Sequence, residues 1–366
     1  MSNQRFSQIQ HKASTGEPVS RDDAFFLFDH DTDLEATRAI ADSIRKSLHG
    51  DQVYYNINAH LNPTNICRLR CPLCAFSCDV GDQKAYLLSD DEILEHARQA
   101  VNHYAKEIHI VGGIHPDKPY SWYRNILEQI HKIYPQLQLK AWTAIEIAHF
   151  ARIAGLDEEA ILQDLMRVGL SGLPGGGAEI FSSPVREKIA PEKGTAEIWL
   201  RVHEKAHRLG LPTNATMLFG HIESIQDRVD HLLQLRELQE HSLKQNYPAA
   251  FEAFVPLVFH PKGTQFEQIT PAGKDDILRT MAVSRIVLNN IPHIKAYWVS
   301  LGLDVAKKAL HFGADDFDGT IQQEKVHHAA GAEVPVGLSV EQLRDHIIQA
   351  GYTPIERDSH YSVLSK

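Results

Sequence analysis

Apolar residues along the chain fall into two alternating rhythms. Segments 53–62, 107–112, 138–143, 169–174, 212–219, 251–259, 293–299 and a short one near 315–319 are rich in Val, Ile, Phe and Tyr. They alternate or run apolar, as strands do. Between most of them, 89–104, 120–134, 157–168, 196–209, 224–240 and 273–290 carry apolar residues at helical spacing. Strand then helix, repeated about eight times, is the count expected of an α/β fold of the (β/α)8 TIM-barrel type. An open doubly wound sheet competes with it, and a six-unit partial barrel competes more closely. The first fifty residues read as helices: Ser20-Arg21-Asp22-Asp23 supplies a cap and an acidic first turn, and 33–44 follows with helical spacing. They are expected to cover the lower end or side of the barrel. Past residue 320 an extension with a helix over 339–350 is expected to fold back on it. The division is therefore 1–50, 51–320 and 321–366.

Polar residues break the strand pattern on one face. Asn56, Asn58, His60 and Asn62 share a parity in the first strand; Lys140 and Trp142, with Glu146 beyond them, share one in the third; Lys295 and Tyr297 share one in the seventh. An ordinary barrel lumen is filled by branched apolar side chains. A series of polar positions across several strands reads instead as a lumen lined for a polar ligand. A hydrogen-bonded polar core is the alternative, and it requires every group to be satisfied.

The chemistry-bearing residues follow the strands, where barrel enzymes keep their sites. A cysteine loop follows the first strand, Gly112-Gly113-Ile114-His115-Pro116 the second, and Glu146 the third. Pro174-Gly175-Gly176-Gly177-Ala178-Glu179 follows the fourth, Gly220-His221-Ile222-Glu223 the fifth and His260-Pro261 the sixth. The triple glycine lacks the Lys-Ser/Thr of a nucleotide P-loop, which argues against nucleoside triphosphates.

Composition narrows the classes. The 366 residues are 43% apolar and 23% charged, with a formal net charge of −10, which argues against a nucleic-acid partner. No apolar run approaches the roughly 20 residues of a membrane span, and the N-terminus lacks a signal-peptide core. Clustered thiols without a secretion signal suit a reducing cytoplasm. Of the 22 histidines, His109, His221 and His260 stand at strand positions, where a packed structural role is as common as a catalytic one.

All four cysteines lie within 67–78, and Cys67, Cys71 and Cys74 have the spacing Cys-x-x-x-Cys-x-x-Cys. Three thiolates on one loop would ligate three irons of a [4Fe–4S] cluster and leave the fourth iron for a small molecule. Zinc held with histidines, or a simple redox pair, are the other readings. Cys78 stands outside the triad as a bystander thiol.

This spacing resembles the hallmark of the radical S-adenosylmethionine (SAM) superfamily, although Leu73 replaces the usual aromatic residue before the third cysteine and Phe76 comes two positions after it. Longer phrases resemble the aminofutalosine synthase family of the futalosine route to menaquinone: 62–76, 109–116, 173–180, 214–223 with 227–231, 292–298, and beyond the barrel Gly319-Thr320 and Glu324-Lys325. The resemblance implies a [4Fe–4S] cluster on the triad and SAM as a consumed co-substrate, whose 5′-deoxyadenosyl radical adds to 3-[(1-carboxyvinyl)oxy]benzoate. It implies that Gly112 and Gly113 take the SAM amino group, that the partial Gly220-x-x-Glu223 motif contacts adenine, and that Glu146 lies where it meets the ribose. Asn214 joins Glu223 in holding the nucleoside. For the two substrate carboxylates the candidates are Lys295, Arg285, His109 and the triple-glycine backbone. A flavodoxin or ferredoxin would supply electrons, and a homodimer is left open. The dehypoxanthine futalosine cyclase and deazaflavin-forming relatives are the neighbouring readings, and a non-catalytic zinc protein is the reading from another class.

Overall fold

The computed structural model describes residues 2–365. Eleven strands are present among them: β1 (Gln52–Asn56), β2 (Asn58–Leu61), β3 (Glu107–Ile110), β4 (Gln138–Ala141), β5 (Leu170–Gly172), β6 (Thr213–Phe219), β7 (Phe251–Val258), β8 (His293–Ile294), β9 (Asp316–Gly319), β10 (Thr353–Arg357) and β11 (Val363–Ser365). β2, β3, β4 and β5 pair in parallel, as do β6, β7 and β8. Single bridges complete the ring: Leu173 to Thr213, Lys295 to Asp316, and Ala59 to Gln322. β1 and β2 are two halves of one strand, and β1 pairs with β9. The result is a closed barrel of eight parallel strands, with outward-facing apolar residues buried under the helices.

Several strands, β3, β4, β5 and β8, end earlier than their apolar pattern suggests, and for two of them the end shows why. β4 stops at Ala141 because Trp142 takes φ +61° and Thr143 caps the helix Ala144–Ala154. The flip turns the Trp142 indole out of the lumen parity and against Tyr123 and Phe150. β8 is short because the helix Trp298–Leu301 begins four residues after Ile294.

The N-terminal helices Arg21–Phe28 and Leu34–His49 take the side of the barrel. Arg279 on the helix Lys274–Val287 donates to the Leu27 and Thr32 carbonyls, and Arg236 on the helix Ile225–Lys244 donates to Val19. The lower end belongs to the C-terminus. β10 pairs in parallel with β1, and the residues after it plug the floor. There the Ser359 hydroxyl donates to Glu107, Lys140 Nζ donates to the Ser359 carbonyl at 3.3 Å, and Arg357 pairs with Asp316. His360 meets Glu252 at 3.2 Å, and Tyr361 stacks on His293 at 3.5 Å. Among the described residues no helix is long and apolar enough to cross a membrane.

Candidate active site

The upper part of the barrel encloses a cavity of about 330 Å³. At its mouth stands the cysteine loop. Backbone bonds pin that loop at its base: Cys67 N to Cys78 O (3.1 Å) and Cys78 N to Asn65 O (2.8 Å). The loop after β3 grips it from the side, with Gly113 N on Thr64 O (2.8 Å) and Arg68 N on Ile114 O (2.8 Å). This approach explains the glycine pair. A Cβ on Gly113 would overlap the Ile66 carbonyl, and one on Gly112 would sit 3.0 Å from Thr64 O.

Cys67, Cys71 and Cys74 all line the cavity. Burial pushes the Cys71 thiol up to about 11, against the pull of Lys193 nearby, and Cys74 and Cys67 lie close enough to add to the rise. Three soft donors in mutual electrostatic reach at a cavity mouth fit the three-thiolate share of a [4Fe–4S] cluster. Cys78 is turned away. Its sulfur accepts from Asn65 Nδ2 at 3.3 Å and faces a separate hollow beside Lys84 and Tyr86.

Six of the other nine candidates also line the cavity: Gly112, Gly113, Glu146, Asn214, His109 and Lys295. Glu146 closes the capping box of its helix by accepting from Thr143 N (2.6 Å), and its second oxygen accepts from Gly112 N (3.3 Å). Burial pushes this carboxyl up to about 7, against those hydrogen bonds. Asn214 is buried, and its Oδ1 has no hydrogen-bond partner among the described residues. His109 stacks on His60 with ring centres 4.7 Å apart; burial first, then His60, drives its pKa well below the ordinary value, so both rings are neutral near pH 7. Lys295 Nζ donates to Asp318 at 3.2 Å. Burial opposes the charge on Glu107, but Lys140, Lys295 and the Ser359 hydroxyl hold it ionised.

Three candidates are placed elsewhere. Arg285 is fully buried below the lumen, with its donors on the carbonyls of Gly313, Ile291 and Pro292 and on Asp315. It holds the barrel base together and reaches no ligand. Glu223 accepts from Gly220 N (2.6 Å), His221 N (2.8 Å) and Arg228 Nε (2.8 Å); against burial, the His221 ring, then Arg228 and the Gly220 N–H, bring its carboxyl down to about 2. Its side chain is 1% exposed, so the Gly-x-x-Glu motif is a loop clamp. Gly220 serves the same turn at φ +85°. His221 is tied into that loop through the Leu218 carbonyl, whereas His260 lines the cavity and pairs with Ser300 O at 2.9 Å.

The polar parity of the first strand divides by task. Asn58 Oδ1 accepts from Ile321 N and Asn62 Nδ2 donates to Val111 O, so both are seam bonds. His60 joins His109 in the cavity, where Asn58 also lines the wall. Further residues complete the wall: Lys193 paired with Glu179 beside the cysteines, and Tyr297, Asp318, Glu324 and His327 from the C-terminal part of the chain. Glu324 is held by backbone N–H groups of His327 (2.9 Å) and His328 (3.3 Å). The triple glycine lies in the wall as well, and Thr216 donates to the Gly175 carbonyl at 2.6 Å.

A second convergence of ligand-type side chains, His49, His293 and Asp315, lies at the floor outside the cavity. His49 Nε2 faces the Pro292 carbonyl at 3.0 Å and His293 Nδ1 faces Asp315 at 2.6 Å, so both ring nitrogens carry protons as donors. This is a hydrogen-bonded clamp between the N-terminal helix and the barrel base.

Comparison with known proteins gives names to set beside this geometry. Residues 61–235 match the radical SAM superfamily, and residues 248–366 match the CofH/MqnC C-terminal region. An aminodeoxyfutalosine synthase of Thermus thermophilus is 39% identical over 362 residues, spanning 98% of this chain and 95% of that protein. One of Streptomyces coelicolor is 37% identical over 98% of this chain and 93% of its own length. A 5-amino-6-(D-ribitylamino)uracil–L-tyrosine 4-hydroxyphenyl transferase of Methanocaldococcus jannaschii is 37% identical over 94% of this chain and 97% of that protein. In structure, the FeFe-hydrogenase maturase HydG of Carboxydothermus hydrogenoformans superposes with a TM-score of 0.75 at 17% identity, covering 98% of this chain and 81% of that one. Methylornithine synthase (PylB) gives 0.73 at 16% identity, covering 94% and 97%. The last two likenesses bear on the fold alone.

Proposed function

Because the chain belongs to the radical SAM superfamily, in the branch that joins this domain to a CofH/MqnC C-terminal region, we propose that it is an aminodeoxyfutalosine synthase. It transfers the 5′-deoxyadenosyl group of SAM to the enolpyruvyl double bond of 3-[(1-carboxyvinyl)oxy]benzoate. Rearrangement and loss of the enolpyruvyl carboxylate then give 6-amino-6-deoxyfutalosine, on the way to menaquinone. Cys67, Cys71 and Cys74 would hold the [4Fe–4S] cluster, which supplies the electron that breaks the carbon–sulfur bond of SAM.

The observation that carries the reading is the arrangement of one lumen: three thiols at its mouth and, in the same chamber, a wall built from the C-terminal region with Lys295, Tyr297 and Asp318. Such a chamber holds two ligands end to end and excludes water from a primary alkyl radical. Asn214 Oδ1, unpartnered and aimed into the cavity, accepts from the nucleoside. Glu146 sits between the glycine turn and the lumen, where its carboxylate reaches ribose hydroxyls. Lys295, beside its bond to Asp318, turns a cationic group towards a substrate carboxylate, and neutral His109 offers a hydrogen bond without adding charge. A flavodoxin or ferredoxin in the cytoplasm serves as reductant.

The test is anaerobic turnover with SAM labelled in the ribose carbons. Label in a product that contains both adenine and the benzoate ring supports the synthase. 5′-Deoxyadenosine released at every turnover sinks it and returns the cyclase. Because relatives named as 4-hydroxyphenyl transferases match nearly as well, the same assay is run with tyrosine and 5-amino-6-(D-ribitylamino)uracil, where coupling would transfer the assignment to that chemistry.

A further inference from the structure

Beyond β8 the chain keeps strand alternation for three more residues. Ile294, Ala296 and Trp298 are fully buried on the outer side, while Lys295 and Tyr297 line the cavity. Lys295 is committed to Asp318. Tyr297 is not committed to anything. Its ring is 6% exposed and meets His327 edge-on at 5.2 Å, and among the described residues its hydroxyl has no hydrogen-bond partner. The hydroxyl opens onto the lumen, free of protein partners there, so a ligand that fills the cavity can complete it.

The surroundings decide which role the hydroxyl plays. Burial, together with the negative charges of Glu324 and Asp318, raises the Tyr297 pKa well above its ordinary value. The group therefore stays protonated and serves as a donor. The lumen already carries Glu107, Asp318, Glu324 and Glu179 as acids against Lys295 and Lys193. An anionic ligand entering it gains most from a donor that is not already paired with a carboxylate. On the wall made by the C-terminal region, the Tyr297 hydroxyl meets that description.

We propose that Tyr297 is a specificity-determining residue whose hydroxyl donates to the ring carboxylate of the acceptor substrate. The inference rests on the synthase reading. The enolpyruvyl end holds the reacting carbon and must lie beside the adenosyl group, so the ring carboxylate is the end left for the wall made by the C-terminal region. Tyr297 fixes that end, and with it the position of the double bond.

The experiment is calorimetry on cluster-reconstituted protein with SAM present and no reductant, so that no turnover occurs. Two probes are used: 3-[(1-carboxyvinyl)oxy]benzoate, and 2-phenoxyacrylate, which lacks the ring carboxylate. Tyr297→Phe keeps the ring and removes one oxygen. It should weaken the benzoate about tenfold or more, the scale of a hydrogen bond to a charged group. Its affinity for 2-phenoxyacrylate and for SAM should equal that of the parent. Under turnover the variant should release more 5′-deoxyadenosine per adduct. Equal loss for both probes makes Tyr297 a packing residue, and no loss for either removes it from the site; each result overturns the proposal. A parent that binds neither probe defeats the synthase reading and this contact together. A parent that binds the benzoate while the variant binds it equally well defeats only the role of Tyr297.

Discussion

Mild acid should destabilise this protein through buried histidines, three of them on the helices around the barrel. His203 and His207 lie on the helix Ala196–Arg208, His231 on the helix Ile225–Lys244, and all three are fully buried. His203 packs against Trp199 at 3.7 Å and has no hydrogen-bond partner at either ring nitrogen. His207 is satisfied by Ser242 and Thr213, both at 2.8 Å, and His231 donates to the Thr216 carbonyl at 2.8 Å. Burial drives His207 and His231 down to about 3 and His203 well below its ordinary value. The folded pKa is thus depressed. The stability these groups confer is complete above about 6.5, the unfolded value, and is lost as pH falls from there towards 3. Between pH 7 and pH 5 each loses about 2 kcal/mol, together about 6 kcal/mol. Glu146 acts in the other direction. Its folded pKa is raised to about 7, so its contribution grows as pH falls through 7 and returns about 2 kcal/mol. The depressed carboxylates Glu107, Asp315 and Glu324 matter only below the unfolded glutamate and aspartate values near 4. For these three histidines and Glu146 the net loss is about 4 kcal/mol, to which the depressed His109, His60 and His149 add, against a total stability of ordinarily 5–15 kcal/mol. Urea unfolding of the cluster-free protein at pH 7.0, 6.0 and 5.0, followed by tryptophan fluorescence, measures it. His203→Phe keeps an aromatic neighbour for Trp199 and should cut the pH-dependent loss by about 2 kcal/mol. A parent whose unfolding free energy stays within about 1 kcal/mol from pH 7 to 5 would refute the argument, as would a His203→Phe slope equal to that of the parent.

Three further outcomes are expected. Alanine at Cys67, Cys71 or Cys74 should abolish cluster binding and SAM cleavage, whereas Cys78→Ala should keep both; iron analysis and visible absorption of anaerobic protein decide, and a cluster-free Cys78→Ala contradicts the three-ligand assignment. Glu146→Gln should weaken SAM binding at pH 8 by roughly 1.5–3 kcal/mol in calorimetry, and the parent's affinity should fall as the carboxylate protonates through pH 7 while the variant's stays level. Arg285→Met strands Asp315 in the barrel base and should cost about 3–5 kcal/mol of stability, with substrate affinity of the folded protein unchanged; a loss of affinity without a loss of stability would return Arg285 to the site.

What could be read from the sequence was what depends on neighbours in the chain. The three cysteines are close in sequence and therefore close in space. The strand–helix rhythm gave the barrel, because each strand is wrapped by the helix that follows it. The signature at Gly220–Glu223 misled because a carboxylate after a strand clamps a turn with the same residues that would grip a ligand. Arg285 misled because its partner, Asp315, is 30 residues away, and nothing local marks an arginine as spoken for. Trp142 followed the lumen parity on paper and left it through one left-handed residue. Tyr297 is marked only by its parity with Lys295. Its value lies in a missing partner, which no pattern of residue types records.

The floor has a bearing on how the chamber comes into being. Ser359 meets Glu107 across 252 residues of chain, and β10 lies against β1, the first strand made. A ribosome therefore releases the cysteine loop long before it releases the plug that seals the chamber from below. Contacts so distant in sequence form late, and a chain cut short before Arg357 carries all four cysteines above a barrel with an open base. The same geometry sets a rule for handling the protein. A fusion at the N-terminus extends a helix on the outer side, whereas one at the C-terminus pulls on β11, the strand that anchors the seal.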